Sequence, residues 1–292
     1  MTLEQLRIFV AVAEREHMTK AAQALNVTQS AASAAIATLE TQHGVALFHR
    51  VGRRIELTEP GRQFLEEARA VLGRAASAEL TLAEFGGLKR GTLKLVASQT
   101  ITGYWLPRHL AAFRQRYPDV AVDLAIANTG GAAERVHDGA AELGFVEGQI
   151  DDPALISWEV AQDQMTLVAA PGTAPPAIDK AWLQSARWIM REQGSGTRST
   201  FEDVLRARGL DPATLDIALT LPSNEAVRSA VEAGAGIAAL SSLVVLRAVR
   251  AGMLAELKLD LPRRPFFGLR HKERYSSRAA KALLDLITEN GR

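Results

Sequence analysis

The sequence predicts an α/β protein with an α-rich N-terminal domain, a long linker helix and a C-terminal domain of two α/β lobes. Three observations lead there: two short helical patterns joined by a tight turn at residues 18–43, a 4-3 apolar spacing from Phe64 to Phe85, and alternating strand and helix patterns from residue 91 onward. With 292 residues the chain has room for two or three compact units. Its formal charge of +1 means that any nucleic-acid surface has to be local. The absence of cysteine excludes disulfides, thiolate metal sites and cysteine nucleophiles. No apolar run approaches the length needed to cross a bilayer, so no membrane partner is expected. MTLEQLRIFVAVAEREH carries Glu4, Glu14 and Glu16 and reads as an amphipathic helix rather than a signal peptide, which places the chain in the cytoplasm.

That first helix, roughly Thr2 to Arg15, puts Leu3, Leu6, Val10 and Ala13 on a shared face. Thr19 is positioned to cap a short helix burying Ala21, Ala22 and Leu25; Asn26 and Val27 then turn the chain. Thr28 caps a second helix, and Gly44 stands where a left-handed C-terminal cap is wanted. Ala31, Ala32, Ala35, Ile36 and Leu39 fall on one arc of this helix. Gln29, Ser30, Ser33, Ala34 and Ala37 occupy the other, which is small, polar and free of bulky apolar groups. Two readings fit: a helix-turn-helix whose second helix enters a major groove, or an αα-hairpin inside a helical core. VALFHRVGRRIELT follows as a two-stranded wing with Val51-Gly52-Arg53 at its tip. His49, Arg50, Arg53 and Arg54 concentrate cations there, suited to holding phosphates or reaching into a minor groove, or else to coating a solvated hairpin.

A long helix begins at Thr58 with Pro60 in its first turn, where a missing N–H costs little. Phe64, Ala68, Val71, Ala75, Ala78, Leu82 and Phe85 form its heptad seam. A single apolar stripe on an arm between domains needs a partner. The simplest is the same helix of a second subunit; packing on its own chain is the alternative. Gly86, Gly87 and Gly91 make a junction.

Beyond it, TLKLVAS, VAVDLAIA and AELGFVEG alternate with helical patterns, and WIMRE, DIALTL and IAALSS repeat the alternation. This predicts βαβ units with a parallel sheet in each of two similar lobes. FFGLRH and RAAKALLDLIT return the chain to the first lobe, leaving a hinged cleft. The expected domains are 1–57, 58–87 and 91–292, with lobe I at about 91–161 and 266–292 and lobe II at about 162–265. Two Ser/Thr/Gly stretches, Ser98–Gly103 and Arg191–Arg198, lie at carboxyl ends of strands and lead into helices. Free N–H groups at such helix starts favour a small anion, although well-capped loops have the same composition.

Other chemistry fails sooner. Gly234-Ala235-Gly236-Ile237 imitates a dinucleotide fingerprint but follows a helix and precedes a strand, the wrong polarity. GSGTRST lacks the Gly-Lys ending of a P-loop, and the six histidines are scattered without ligand spacing. No catalytic set, metal site or cofactor is therefore expected, and Trp105, Trp158, Trp182 and Trp188 read as core.

The chain resembles the LysR-type transcriptional regulators along essentially its whole length. The likeness is carried first by LRIFVAVAE, KAAQALNVTQSAASAAIATLE, GVALFHR and LTEPGRQFL. ASQTITGYWLP, FRQRYPDV, LGFVEG, REQGSGTRSTFE and LPSNEAVRSAVEAGAGIAALS point to a branch with regulators of carbon fixation and sulfur assimilation. The resemblance implies a winged helix-turn-helix and an effector domain like the periplasmic binding proteins. It also implies a homodimer or homotetramer on double-stranded promoter DNA, with RNA polymerase as a further candidate partner. Thr28, Gln29, Ser30, Ser33 and Ala34 would lie on the reading helix, with Arg50, Arg53 and Arg54 anchoring the backbone. Ser98, Thr100, Thr102, Arg191, Ser195 and Thr197 would bind a small anionic effector. Phe64, Ala68, Val71, Ala75, Ala78 and Leu82 would dimerise. Ala34 and Ala32 are smaller than the residues many members carry, so base readout is expected to lean on thymine methyls and phosphate anchoring. A solute-binding protein with an N-terminal extension is the alternative function, opposed by the lack of a signal peptide; an enzyme is disfavoured for want of a nucleophile, base or metal set.

Overall fold

Thr2 and Gln5 start the chain's first helix by satisfying each other. The Thr2 hydroxyl accepts from the Gln5 N–H at 3.2 Å, and the Gln5 side chain accepts from the Thr2 N–H at 2.8 Å, a capping box. The computed structural model describes residues 1–51, 54–85, 91–148, 150–173, 175 and 177–290, without the side chains of Arg50, Val51, Arg54, Ser77, Leu80, Thr81, Ala83, Glu84, Phe85 and Asn290. Two units result, Met1–Phe85 with His137–Ala140, and Gly86–Val136 with Ala141–Arg292.

In the first unit, α1 (Leu3–Arg15) buries Leu6, Ile8, Phe9, Val12 and Ala13. Leu3, expected on that face, stays exposed because it lies about 120° around the helix from Phe9. α2 (Met18–Ala24) is capped by His17, whose Nδ1 accepts the Lys20 N–H; Thr19 falls inside the helix and is not the cap. Asn26, at φ 56°, turns the chain into α3 (Gln29–His43). Thr28 Oγ1 caps α3 through the Ala31 N–H at 3.2 Å, and Gly44 closes it at φ 64°. Ala32, Ile36 and Leu39 are buried. Ala31 is exposed, about 100° from the centre of that stripe, and does not join the buried arc.

The Glu40 carboxylate accepts the N–H groups of Leu47 at 2.8 Å and Phe48 at 3.1 Å, tying α3 to the wing. β1 (Phe48–Val51) pairs antiparallel with β2 (Arg54–Leu57). Val51, expected at the tip, is paired with Arg54; Gly52 and Arg53 lie outside the described residues. Thr58 then caps α4 (Glu59–Phe85) by accepting the Gly61 N–H, while its hydroxyl donates to the Ala46 carbonyl at 2.7 Å. A Cβ on residue 61 would stand 2.1 Å from the Leu47 carbonyl oxygen. Only glycine lets the helix start approach the wing this closely. Phe9, fully buried, meets Phe48 at 5.4 Å and Phe64 at 4.8 Å, so one ring joins α1, the wing and α4.

The 4-3 stripe of α4 divides. Phe64 and Ala68 are packed into this core with Leu65 and Leu72. Val71, Ala78 and Leu82 are exposed, Leu82 at 73%, and Ala75 is half-buried. Phe64 and Ala68 are thus corrected from partner-facing to core positions, and the side chain of Phe85 lies outside the described ones.

The second unit opens with β3 (Gly91–Ala97), followed by a π turn at Ile101–Trp105 running into α5 (Leu106–Arg116). β4 (Val120–Ile126), α6 (Thr129–His137) and β5 (Leu143–Glu147) complete the first α/β run, with β3 parallel to both β4 and β5. The 15-residue β6 (Leu155–Ala169) leads into α7 (Lys180–Ser185), β7 (Arg187–Arg191), α8 (Gly196–Ala207) and β8 (Asp216–Leu221), parallel to β7. α9 (Asn224–Glu232), β9 (Ala238–Ser241), α10 (Ser242–Arg250), β10 (Ala255–Leu257), β11 (Arg263–His271) and α11 (Arg278–Asn290) follow. The sheet is mixed rather than all-parallel: β11 runs antiparallel to β5 and β6, and β6 antiparallel to β9 and β10. The returning strand has to travel against the βαβ direction.

Each lobe has its own core. Leu93, Leu95, Phe113, Phe145, Phe266 and Leu283 fill the first beneath α5 and α11. Leu167, Trp188, Phe201 and Leu205 fill the second beneath α8, and the Trp188 Nε1 donates to the Leu183 carbonyl at 2.9 Å. Trp105 and Trp188 are buried as expected; Trp158 and Trp182 are half-buried.

His109 is 1% exposed against Trp105, its Nε2 accepts from Arg108 Nε at 3.2 Å, and its Nδ1 has no partner. Burial, aided by the Arg108 charge, lowers its pKa to about 4. The folded chain therefore refuses a proton that the unfolded chain takes up below pH 6.5. Stability is complete above pH 6.5 and should fall by up to about 3 kcal/mol as pH drops toward 4; His109→Gln should flatten that part of the urea-midpoint profile. Phe9→Ala should destabilise the N-terminal unit by about 3–5 kcal/mol, read as a lowered urea midpoint at unchanged slope.

Candidate ligand cleft and nucleic-acid interface

On α3, the exposed face consists of short side chains held locally. Thr28, Gln29, Ser30 and Ala34 are exposed, and Ser33 is half-buried. Gln29 Nε2 donates to Ser33 Oγ at 3.0 Å, and the Thr28 and Ser30 hydroxyls lie 3.0 Å apart. Small groups on a helix free of bulky apolar neighbours leave room for a groove wall to approach. In the wing, His49 pairs with Glu56 at 3.7 Å across the strands. Of the basic set, the backbones of Arg50 and Arg54 belong to β1 and β2, their side chains lie outside the described ones, and Arg53 lies outside the described residues altogether.

In the second unit, the candidate residues come from strand ends in both lobes. Ser98 is buried and caps the helical turn after β3, its Oγ accepting the Ile101 N–H at 3.4 Å. Thr100 is 1% exposed, and its Oγ1 accepts from Asn224 Nδ2 at 3.0 Å. The Thr102 hydroxyl, in the π turn, is buried without a partner. Such a turn places backbone and side-chain groups in irregular directions, often at binding sites. Opposite, Arg191 at the end of β7 is buried; its Nη1 donates to Asn224 Oδ1, and its Nε and Nη2 grip the Glu192 carboxylate at 2.8 and 2.9 Å. Asn224 thus joins Thr100 of one lobe to Arg191 of the other. Its backbone N–H also donates to Gln99 Oε1 at 2.9 Å.

Ser195 stands at the N-cap of α8 and makes no side-chain capping bond. Thr197, one residue into the helix, is buried and accepts from Arg264 Nη1 at 3.1 Å. Between them, a Cβ on residue 196 would come within 2.5 Å of the Glu147 carbonyl oxygen and 2.6 Å of Thr129 Oγ1. Glycine is what permits the two lobes to touch there. Asn128 adds a further bridge, its Nδ2 donating to the Gln193 carbonyl at 3.3 Å.

Thr100 and Arg191 are therefore brought together, Thr197 is drawn toward the strand crossing, and Ser98 works as a cap. Gln99 and Glu192 lie within the two expected stretches without having been singled out, and Asn224 and Asn128 were missed. A signal existed for one of them: Pro222-Ser223-Asn224 is a third strand end leading into a helix, with the Ser223 hydroxyl capping α9 through Ala226. No spacing announces the partners of Arg264. Its Nε donates to Asp163 Oδ2 at 2.8 Å, and its Nη2 lies 2.8 Å from the same oxygen and 3.6 Å from Glu147 Oε1. All three residues are nearly solvent-free. Burial raises the Asp163 carboxyl above the usual carboxylate range, with the Glu147 charge adding to it against the pull of Arg264 and Ser241. Among the described residues no helix is long and apolar enough to cross a membrane, and no cluster of His, Cys, Asp or Glu suits a metal.

Removing the cation between those two buried carboxylates should be expensive. Arg264→Met is expected to cost about 3–5 kcal/mol in urea unfolding of the C-terminal unit, and Asp163→Asn clearly less, because it relieves one of two competing carboxylates.

Comparison with known proteins identifies the family. Residues 3–62 match the model of the bacterial regulatory helix-turn-helix protein, lysR family, and residues 86–292 match the LysR substrate binding domain. The uncharacterized HTH-type transcriptional regulator YeiE of Escherichia coli (strain K12) is 35% identical over 290 residues, 98% of this chain and 96% of that protein. The probable RuBisCO transcriptional regulator of Trichormus variabilis is 33% identical over 289 residues, 96% of this chain and 86% of that protein. The crystal structure of CbnR, a LysR family transcriptional regulator, superposes with a TM-score of 0.69 at 22% identity over the full length of both chains. The chain belongs to the LysR family of DNA-binding transcriptional regulators, with an N-terminal helix-turn-helix and a C-terminal effector-binding domain.

Proposed function

We propose that the protein is a cytoplasmic, homo-oligomeric regulator that binds promoter DNA and responds to a small anionic effector held between its lobes, and that it is not an enzyme. The reading rests on one observation above the rest: side chains of both lobes meet in a single hydrogen-bonded chain, Thr100–Asn224–Arg191. The orphaned Thr102 hydroxyl two residues on from Thr100 supplies a free polar group of the kind a ligand satisfies. A buried guanidinium, hydroxyls and the N-terminus of α8 are suited to an oxyanion. We place the reading head at 1–57, the linker helix at 58–87 and the effector domain at 91–292, with lobe crossings at 161/162 and 265/266. There Ala161 pairs with Phe266, and Gln162 with Pro265.

Gln29, Ser30 and Ser33, flanked by Thr28 and Ala34, face bases or nearby phosphates, while Arg50, Arg53 and Arg54 neutralise backbone. The stripe positions Val71, Ala75, Ala78 and Leu82 of α4, of which all but half-buried Ala75 are exposed, are the subunit contact. Two heads on one duplex then follow from two-fold pairing. The effector acts by binding one arrangement of the lobes more tightly than the other.

Three measurements test this. In gel shifts, the Arg50→Ala, Arg53→Ala double variant should bind the promoter at least about tenfold more weakly, with a salt slope shallower by about 0.9 per lost phosphate contact; unchanged affinity rejects the wing assignment. A Val71→Glu, Leu82→Glu variant should sediment as a monomer where the parent does not. A thermal-shift screen of small oxyanions and sugar phosphates should yield a ligand that stabilises the parent by about 2.7 kcal/mol at a hundred times its dissociation constant. Thr102→Val should keep the fold and lose that shift.

A further inference from the structure

The guanidinium expected to bind the anion is already occupied. Arg191 spends its side-on fork on the neighbouring carboxylate, Nε to Glu192 Oε2 at 2.8 Å and Nη2 to Glu192 Oε1 at 2.9 Å, and Nη1 on Asn224. A guanidinium has five N–H groups in a rigid plane, so a second oxyanion cannot take the same two-pronged position while the first is there. Glu192 is also held across the lobes, its Oε1 accepting from Asn128 Nδ2 at 3.4 Å. Although burial disfavours its charge, the Arg191 hydrogen bonds and charge keep the carboxyl below its usual range, so it is ionised near neutrality. The rest of the neighbourhood offers little spare positive charge: Arg198 donates to the Arg191 carbonyl at 3.0 Å and pairs with Glu202 at 2.7 Å, and Arg264 serves Asp163, Glu147 and Thr197.

We infer that Glu192 is a built-in competitor, a tethered carboxylate that occupies the Arg191 fork and sets both the affinity and the selectivity of the cleft for oxyanions. An anionic effector gains the side-on two-pronged contact only by displacing Glu192, and the displaced carboxylate loses its bond to Asn128 in the other lobe. Weak, adventitious anions are rejected because they must outcompete a group held at the guanidinium by one covalent residue of separation. Ligands that also satisfy Thr102 or Ser195 have the additional contacts to do so. If the fork is open about a tenth of the time, the apparent dissociation constant for an oxyanion is about ten times the intrinsic one. The inference rests on the cleft being the anion site proposed above.

Calorimetric titration of the full-length protein with sulfate tests it, using the parent, Glu192→Gln, and the double variant Arg191→Gln, Glu192→Gln. The glutamine keeps the shape and removes the charge, and thermal unfolding without sulfate checks that each variant is folded; Glu192→Ala serves if the glutamine variant is not. The expected result is about tenfold tighter sulfate binding in Glu192→Gln than in the parent, with the gain abolished in the double variant. Equal or weaker binding by folded Glu192→Gln, with the parent still binding, overturns the competitor and leaves the anion site standing. A gain that survives loss of Arg191 also overturns it, since the fork is then not what Glu192 guards. Absence of sulfate binding in parent and variant alike overturns the competitor and the anion site together.

Discussion

Two lobes with separate cores are held in register by one pair of strands. β6 and β11 face each other from Leu155 opposite His271 to Gln164 opposite Arg263. The pairing shifts between Phe266 and Phe267, an irregularity that adds twist where the chain leaves one lobe for the other. Arg264 sits at this place, holding Asp163 across the pair and reaching Glu147 at the end of β5 and Thr197 at the start of α8. A nearly solvent-free cation with two carboxylates is a weak source of net stability, because desolvation offsets the Coulombic attraction. Its effect is geometric: β5, β6, β11 and α8 have to converge on one point for the charges to be satisfied. The start of α8 is positioned by that convergence, with Thr197 joined to it directly.

The N-terminal unit is governed by a comparable constraint of another kind. Phe9 packs against Phe48 and Phe64, and Gly61 allows the start of α4 to lie against Leu47. Apolar contact and one missing Cβ fix the wing relative to α1 and α4, while the Glu40 carboxylate fixes it relative to α3. The cost is paid by the stripe on α4, whose first two heptad positions are consumed by this core. The exposed part of the stripe begins at Val71.

The helix-turn-helix was legible because its signals are local: Thr28 and Gly44 bracket α3, and Asn26 turns into it, each within a few residues of the element it shapes. The same locality explains the errors. His17 outcompeted Thr19 as a cap two residues earlier, and Leu3 and Ala31 lie too far around their helices to reach cores whose centres only packing defines. A heptad count could not separate Phe64 and Ala68, which face the first unit's core, from Leu82, which does not. In the cleft, Ser/Thr/Gly stretches at strand ends were visible, whereas Asn224 and Gln99 meet across 125 positions and Arg264 and Asp163 across 101. Strand order decides such meetings, and the expectation of an all-parallel sheet had no place for the antiparallel β6–β11 pair.

The polar chain across the cleft also bears on how a ligand acts. Thr100, Asn224, Arg191 and Glu192 are hydrogen-bonded in one chain, and Gly196 lets the lobes meet beside them. The lobes are therefore bridged by the chain's own side chains, and on the proposed reading a ligand does not work by supplying the first contact between them. It works by exchanging an internal set of hydrogen bonds for another, so the free energy available to shift the lobes is the difference between two satisfied networks. Such differences are small compared with either network alone, and each 1.4 kcal/mol of difference changes the ratio of the two arrangements tenfold. A group without a partner in the internal set carries weight out of proportion to its size, because satisfying it is pure gain. Among the described residues, the buried Thr102 hydroxyl is such a group. The exchange is favourable for a molecule that replaces the carboxylate at Arg191 and reaches that hydroxyl as well, and close to neutral for one that replaces the carboxylate alone.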